Sequence, residues 1–506
     1  MKPTPFCLLL LGLAVSAPAA ERVSTRPPNI LVIMSDEHHA GVMGNSGDSV
    51  ARTPHLDRLA RSGVKFDAHY CSSPICTPSR QTFTTGKYVS SHNVWTNTVG
   101  VPEDRMTLPK VMRAAGYQSY LIGKMHYKGG RNYGFTLLDK GPRASNDDEM
   151  PPAKGSPAAE PKPRKRLPAG VFPPRGDELG EEFRPLGETL DTSADPDVGR
   201  RDAAIQFLQN RPVSAKPFFL TVGFIAPHYP LVAPPEFLAR YKDRVPAPHI
   251  PSGYLETLPL NYQHLRNDRK LERVPSQTVK LALEAYYARV EWMDQQIGQV
   301  LEALARSPFA ENTIVVYTSD HGENMGEHGL WWKNCMYDSA ARVPLIMSWP
   351  KRWAGGQVRS GACGMVDLVK TLAECAGATV PADWQGDSMV GWLDRGDFPW
   401  KDRAVVEYYA GYVASGIAMI REGPWKYVYH TRPSPEREPE VELFHLHDDP
   451  RELHNLARSP EHRERIRALH AHLVAEIGED PETTESRWRA GATPEWPQGR
   501  LAGGAK

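Results

Sequence analysis

Four short apolar runs constrain this chain more than any other feature, because each halts on residues that can bind or react. "NILVIMS" (Asn29–Ser35) stops at Asp36, Glu37, His38 and His39, and "SYLIG" (Ser119–Gly123) at Lys124 and His126. "FFLTVGFIA" (Phe218–Ala226) stops at Pro227 and His228, and "TIVVYTS" (Thr313–Ser319) at Asp320 and His321. Continuous β-branched and aromatic runs suit strands buried on both faces, as in a parallel sheet covered by helices. Such open sheets bind ligands beyond the carboxyl ends of their strands. The four charged ends are therefore expected to meet in one crevice.

Between the runs lie helical patterns, the clearest over Ser276–Ser307. There Val279, Leu283, Tyr286, Val290, Met293, Ile297, Val300 and Leu304 form one apolar stripe, along a helix roughly 45 Å long. From about Lys401 the pattern shifts to shorter strands, "GIAMIRE" and "KYVYH", followed by a helix around Glu461–Ile477. The expected fold is α/β: a large, mostly parallel central sheet flanked by helices, with a small C-terminal antiparallel α+β subdomain.

The division expected is a signal peptide (1–20), a catalytic body (21–400) and a C-terminal subdomain with a polar tail (401–506). Lys2, the apolar "FCLLLLGLAVSA" and the small residues of "APAA" read as a cleaved secretory signal, placing the protein in the periplasm or outside the cell. No later stretch reaches about 18 uninterrupted apolar residues, so no membrane anchor is expected. Residues 141–186, proline-rich and carrying the basic run "KPRKR" (Lys162–Arg166), read as a surface insertion. Sixty basic residues balance 60 acidic ones, which argues against nucleic acid as a partner. Beyond the signal the cysteines number five, Cys71, Cys76, Cys335, Cys363 and Cys375, so at least one is unpaired or chemically changed.

Cys76 lies in "SSPICTPSR" (Ser72–Arg80). By itself it reads equally as a small buried residue, half of a disulfide, or a reactive thiol. Thr77 is a fair helix cap, Pro78 fits a first turn and Gly86 a helix end. That places Cys76 at a helix N-terminus, where backbone amides favour an anion, with the forked cation of Arg80 one turn in.

Cys76-Thr77-Pro78-Ser79-Arg80 resembles the Cys-x-Pro-Ser-Arg signature of the formylglycine-dependent (type I) sulfatases, members of the alkaline phosphatase superfamily. Six further blocks in order resemble the same family: "PNILVIMSDEH", "TPHLDRLARSGVKF", "GKMH", "APHYP", "TSDHGENMGEHGLWWK" and "LFHLHDDPRELHNLA". The resemblance implies an alkaline phosphatase-like fold and oxidation of Cys76 to formylglycine (3-oxoalanine) by a formylglycine-generating or sulfatase-maturating enzyme. It implies that the aldehyde hydrate attacks a sulfate ester, with His126 assisting release of the sulfated intermediate. His228 and Lys333 match positions that hold sulfate and protonate the departing alcohol, and Lys124 and Arg80 positions that hold the nucleophile and the anion.

The metal pair departs from the common pattern of Asp-Asp and Asp-Asn, for here it is Asp36-Glu37 and Asp320-His321. Asp36 and Asp320 suit Ca²⁺; Glu37 is a ligand or a neighbour of one, and His321 brings a nitrogen that Mn²⁺ or Zn²⁺ would favour. Ca²⁺ is expected, bound by Asp36, Glu37, Asp320, His321 and the modified Cys76. This variant resembles the branch of choline-sulfatase-like enzymes and phosphonate monoester hydrolases. The expected substrate is a sulfated small molecule, sugar or glycan. The rivals are a phosphonate or phosphate ester hydrolase using the same nucleophile, a glycan-binding protein without catalysis, and a zinc hydrolase without formylglycine. Lys87 reads as support for the helix end. His38, His39, Glu323, Glu327 and His328 read equally as pocket or scaffold, and Trp95, Trp331 and Trp332 mainly as packing.

Overall fold

The computed structural model describes residues 26–127, 130–138 and 195–490. The signal segment (1–20), the proline-rich insertion (141–186) and the tail beyond residue 490 lie outside these residues. The main sheet contains β1 (Asn29–Asp36), β2 (Val64–Tyr70), β3 (Gln118–Gly123), β4 (Thr136–Leu137), β5 (Phe218–Pro227) and β6 (Thr313–Ser319). Beyond a small ribbon of β7 (Asn324–Met325) and β8 (Trp331–Trp332), β9 (Leu345–Ser348) and β10 (Gln357–Gly364) complete it. Its eight strands lie in the order β10-β2-β9-β6-β1-β5-β3-β4. The four apolar runs are thus the contiguous parallel block β6-β1-β5-β3. Toward the other edge β9 runs antiparallel to both β6 and β2.

Side chains of β1 alternate between two cores, as a two-residue period requires. Leu31 and Ile33 join the core under the Ser276–Ala305 helix, with Tyr286, Val290, Met293 and Ile297. Ile30, Val32 and Met34 face the other way, toward Phe83, Leu368 and Leu372 on the Cys76–Thr85 and Met365–Cys375 helices. The long helix also buries Arg289, Glu291, Asp294 and Gln296, since other helices cover its far side. Register then sets the ends level. Ser35 pairs with Ser319 and Gly123 with Gly223, so the residues after these strands emerge together. At Gly223 a Cβ would meet the Lys124 carbonyl oxygen at 1.9 Å; only glycine lets the Lys124 backbone pass so closely.

The C-terminal sheet is antiparallel, in the order β11 (Arg403–Tyr408), β12 (Ile417–Glu422), β13 (Trp425–His430), β14 (Glu440–His445). The Arg463–Ile477 helix packs on it through Leu469, Leu473 and Ile477. One fully buried cation ties this sheet to the body: Lys426 Nζ lies 2.8 Å from Asp338 Oδ1 and 2.6 Å from Glu452 Oε1. Removing one member of a buried ionic cluster strands its partners. Lys426→Met is therefore expected to lower unfolding free energy by about 3–5 kcal/mol, read from urea denaturation; a loss below about 1 kcal/mol would mean the carboxylates find other partners.

Candidate active site

The Cys76–Thr85 helix is buried along its whole length, and its hydroxyls turn inward to backbone oxygens. Thr84 donates to Arg80 and Thr85 to Gln81, while Ser79 donates to the Asp320 carbonyl at 2.6 Å, tying the helix to the end of β6. Cys76 is the first helical residue, after extended Ile75. Thr77 is not the cap expected from the sequence. Its own backbone N–H donates to Asn97 Oδ1 at 2.9 Å, so a distant side chain satisfies an amide of the first turn. Gly86 ends the helix in the left-handed region, as expected.

Around the Cys76 sulfur the four strand ends converge. Lys333 Nζ lies 3.4 Å away, His321 Nε2 3.2 Å and Asp36 Oδ1 3.7 Å, and His126 hydrogen-bonds the thiol. Lys124 Nζ sits 2.8 Å from Asp36 Oδ2. His228 is the partly open member, its side chain 14% exposed. Its Nδ1 faces the Tyr229 carbonyl at 2.7 Å, leaving Nε2 3.4 Å from Glu37 Oε2.

Arg80 departs from the anion-facing role that its spacing suggests. It is fully buried, with Nε 2.7 Å from Asp320 Oδ2 and one terminal nitrogen 3.0 Å from Asp36 Oδ2. The other terminal nitrogen donates to the Lys124 carbonyl oxygen at 2.5 Å. The fork bridges two carboxylates that would otherwise repel. Each aspartate thus gives Oδ2 to Arg80 and turns Oδ1 the other way, 3.7 Å from His321 Nε2 in both cases. His321 Nδ1 lies 2.9 Å from the Gly322 carbonyl oxygen, the kind of bond that fixes a tautomer and presents Nε2 to a metal. Donor atoms of Asp36, Cys76, Asp320 and His321 all lie within 4.8 Å of one another. This buried set of two carboxylates, one imidazole and one sulfur position fits a divalent cation. Glu37 stands to the side. It forms a second such group with Asp36 and His228, but its other oxygen is 3.2 Å from Lys333 Nζ.

The electrostatics single out one thiol. Burial opposes a thiolate at Cys76, but Lys333, His321 and Lys124 overcome it and hold the group well below the usual cysteine range. Burial pushes the other four up, Cys335 and Cys375 to about 12 and Cys71 and Cys363 well above normal. All five are free. Burial and Cys76 also oppose ionisation of Asp36, yet Lys124, His228 and Arg80 hold it well below the usual carboxylate range. Asp320 moves the other way, raised by burial and by Asp36 despite Arg80. At His321, burial acts against the charge and Asp320 for it, leaving the imidazole near 9.

Most residues left open between pocket and scaffold are scaffold. His38 lies 2.6 Å from the Tyr317 hydroxyl, and His328 contacts the Tyr254 hydroxyl at 2.6 Å while stacking on Tyr337. The Met325 amide donates to Glu327, and Gly41 N–H donates to His39 Nδ1. Lys87 pairs with Asp383 near the helix end, and Trp95 packs edge-on against Tyr409 in the core. Glu323 belongs to the site: it accepts from the Trp332 amide at 2.6 Å, and burial with the neighbouring Glu37 pushes its carboxyl well above normal. Sequence reasoning missed Tyr229, stacked on His228 with ring centres 4.0 Å apart. It also took Tyr286 for plain core, although that hydroxyl donates to the Glu37 carbonyl oxygen at 2.7 Å. A tyrosine inside an apolar stripe was the available signal for the second.

The profile of the sulfatase family matches residues 28–378, and that of the N-sulphoglucosamine sulphohydrolase C-terminal region matches residues 326–479. The chain is similar to a choline-sulfatase of Rhizobium meliloti (strain 1021), 28% identical over 459 residues, covering 87% of this chain and 84% of that protein. A protein solved in complex with its substrate D-glucosamine-2-N,6-O-disulfate superimposes with a TM-score of 0.69 at 24% identity, over 90% of this chain and 99% of the other. The phosphonate monoester hydrolase of Agrobacterium radiobacter also gives 0.69, at 21% identity, over 89% and 95% of the two chains. At these identities the two structures establish a shared fold.

Proposed function

Because the chain belongs to the sulfatase family, we propose that it removes sulfate from a sulfated sugar or glycan with a formylglycine nucleophile made from Cys76. Membership makes it a sulfuric ester hydrolase of the alkaline phosphatase superfamily. The observation that carries the proposal is the contrast among five buried cysteines: Cys76 alone is drawn toward its ionised form, and it alone stands where four strand ends meet. A sugar substrate is supported by the structural relative solved with a disulfated glucosamine. Export is supported by residues 1–20, and among the described residues no helix is long and apolar enough to cross a membrane.

The chemistry gives each residue a task. A maturating enzyme, supplying the oxidant, converts the Cys76 side chain from –CH2SH to the aldehyde –CHO with loss of its sulfur, and the aldehyde takes up water to give two hydroxyls on one carbon. One hydroxyl loses its proton to solvent water and bonds to sulfur; the bond from sulfur to the sugar oxygen breaks, and the leaving oxygen takes a proton from His228. Lys333, beside both Cys76 and Glu37, neutralises the sulfate oxygens, and Lys124 does so from the Asp36 side. His126 then accepts the proton of the second hydroxyl, the carbonyl re-forms and sulfate departs. A serine at this position would be left as a stable sulfate ester needing a second hydrolysis. Asp36, Asp320 and His321 would hold a divalent cation, calcium by preference and Mn²⁺ or Zn²⁺ as the alternative. Such an ion lowers the pKa of a bound hydroxyl and polarises a sulfate oxygen.

The test is a matched set of aryl sulfate, phosphate diester and phosphonate monoester substrates, followed by a panel of sulfated sugars. Sulfate turnover should dominate. A larger kcat/KM for the phosphonate ester would instead favour the hydrolase reading, which the equal TM-score of the Agrobacterium enzyme supports. His228→Ala should lower turnover of sugar sulfates by about 10²–10⁴-fold and of nitrophenyl sulfate far less, since only a poor leaving group needs a proton. Equal losses would make His228 a binding residue.

A further inference from the structure

We propose that Asp197 is a positioning residue for the general acid: it holds open an irregularity at the end of β5 that brings His228 level with Glu37. The proposal rests on the reading of His228 as the proton donor and deepens it by naming what places that histidine. β1 and β5 pair residue for residue from Ile30 with Phe219 to Met34 with Gly223, but the next pair is Asp36 with Pro227. Two steps along β1 are matched by four along β5, so β5 carries two extra residues. An unbroken register would set His228 level with His39. The extra pair draws it back to Glu37, a shift of about 6.6 Å at about 3.3 Å per residue. Its Nε2 stands 3.4 Å from Glu37 Oε2 and 4.0 Å from Asp36 Oδ1 as a result. Bulges beside active sites re-aim side chains in this way.

A bulge takes amides out of the ladder, and buried ones must be paired elsewhere. Asp197 supplies the acceptors. Its Oδ1 accepts from the Ile225 amide at 2.9 Å; Oδ2 accepts from the same amide at 3.1 Å and from that of Ala226 at 2.8 Å. Pro227 has no amide hydrogen, and the His228 amide closes a turn onto the Ile225 carbonyl oxygen at 3.0 Å. One carboxylate and one turn therefore account for every backbone donor from Ile225 to His228. Asp197, Ile225 and Ala226 are all buried, so bulk water does not serve these amides.

Asp197 is itself held in place. Arg200 Nη1 donates to its Oδ1 at 2.8 Å. Its own N–H donates to Asp195 Oδ1 at 2.8 Å, and Asp195 Oδ2 accepts from Arg289 of the Ser276–Ala305 helix at 2.7 Å. The first turn of the Pro196–Asn210 helix is thus pinned to the long helix as well as to the sheet. Arg200 also packs against the end of β3, where a Cβ on Gly123 would meet its Cδ at 2.6 Å, one residue before Lys124. A side chain that only docked a helix on a sheet could bond anywhere along β5. This carboxylate gives both oxygens to the two amides that the bulge frees, immediately before the histidine.

The experiment measures kcat and KM of Asp197→Asn, His228→Ala and the double variant on two substrates. One has a poor leaving group (N-acetylglucosamine-6-sulfate, or phenyl sulfate if that sugar is not turned over), and the other is nitrophenyl sulfate. Asp197→Asn replaces an acceptor with an amide that must face an N–H of the bulge or of Arg200. A displacement of His228 by about 1 Å should lower kcat on the poor leaving group by about 10²-fold, with kcat/KM falling in step. Nitrophenyl sulfate turnover should fall far less, because that leaving group needs no proton. In the His228→Ala background Asp197→Asn should add nothing further on the poor leaving group, since the acid it places is gone. Residual nitrophenyl sulfate turnover reports that each variant is folded. If Asp197→Asn does not fold, Asp197→Glu keeps the charge and both acceptors but moves them by one methylene, and should give the same selective loss. Equal losses on both substrates, a loss that adds in full to that of His228→Ala, or no loss on the poor leaving group overturns the proposal. Equal losses in His228→Ala itself would overturn the general-acid reading first, and this proposal with it.

Discussion

Cys76→Ala abolishes turnover and leaves the fold intact. Loss of an essential nucleophile lowers kcat by about 10⁵-fold or more in comparable enzymes, and here no neighbour can replace it. Cys71 is the nearest cysteine in sequence, but its sulfur points to the Ala340 carbonyl and burial pushes its thiol well above normal. The fold survives because the substitution removes one sulfur atom from a polar cluster. Lys333 keeps Glu37 at 3.2 Å and Lys124 keeps Asp36 at 2.8 Å, so no cation is stranded. Circular dichroism and the melting temperature should therefore match those of the native protein. Peptide mass spectrometry of active native protein from a host that can mature it should show the aldehyde or its hydrate at position 76. An active preparation holding only unmodified cysteine would defeat the mechanism.

Replacing either aspartate of the metal set removes both ion and activity. The cation is expected to supply several kcal/mol of transition-state stabilisation, so its loss should cost at least about 10²-fold in rate. The variants need care, because Arg80 binds both carboxylates and is fully buried. Asp36→Ala would strand Lys124 and leave Arg80 with Asp320 as its one carboxylate, a cost of about 3–5 kcal/mol in stability. Asp36→Asn and Asp320→Asn keep a hydrogen-bond acceptor for Arg80 while removing the charge that holds the ion, and are the cleaner pair. Elemental analysis reads the metal directly. His321→Asn discriminates the ion: with native calcium it should preserve metal content and much of the activity, since it replaces nitrogen by oxygen. With native Mn²⁺ or Zn²⁺ it should shift the bound metal toward calcium and depress the rate. Stoichiometric zinc or manganese in the unmutated protein, without calcium, would reverse our preference.

The sequence by itself determined the frame of the molecule. The runs at Asn29, Ser119, Phe218 and Thr313 carry apolar residues on both of their alternating faces, a pattern that suits a sheet covered on both sides, and they became neighbouring strands. The stripe from Val279 to Leu304 likewise became one helix, Ser276–Ala305. Strand ends in such a block are level, so the converging charges were legible too. The strands β2, β9 and β10 were not foreseen. β2 alternates buried and half-buried residues only over "VKFD" and then buries Ala68, His69 and Tyr70, and β9 has only four residues, so neither carries a long apolar signal.

Only the tertiary structure decided what each charge does. Arg80 lies one helical turn from Cys76, which suggested contact with an anion, but its partners Asp36 and Asp320 come from two other strands. Asn97 displaced Thr77 as the acceptor for the helix amide for the same reason. The rings of Trp332 and Tyr412 that stack on the Arg269 guanidinium lie 63 and 143 positions further along the chain, a separation no local pattern reports. Local propensity and periodicity act over a few residues and fix elements and faces. A buried charge is settled by whichever opposite charge the folded chain brings within hydrogen-bond reach, because an unpaired one costs several kcal/mol.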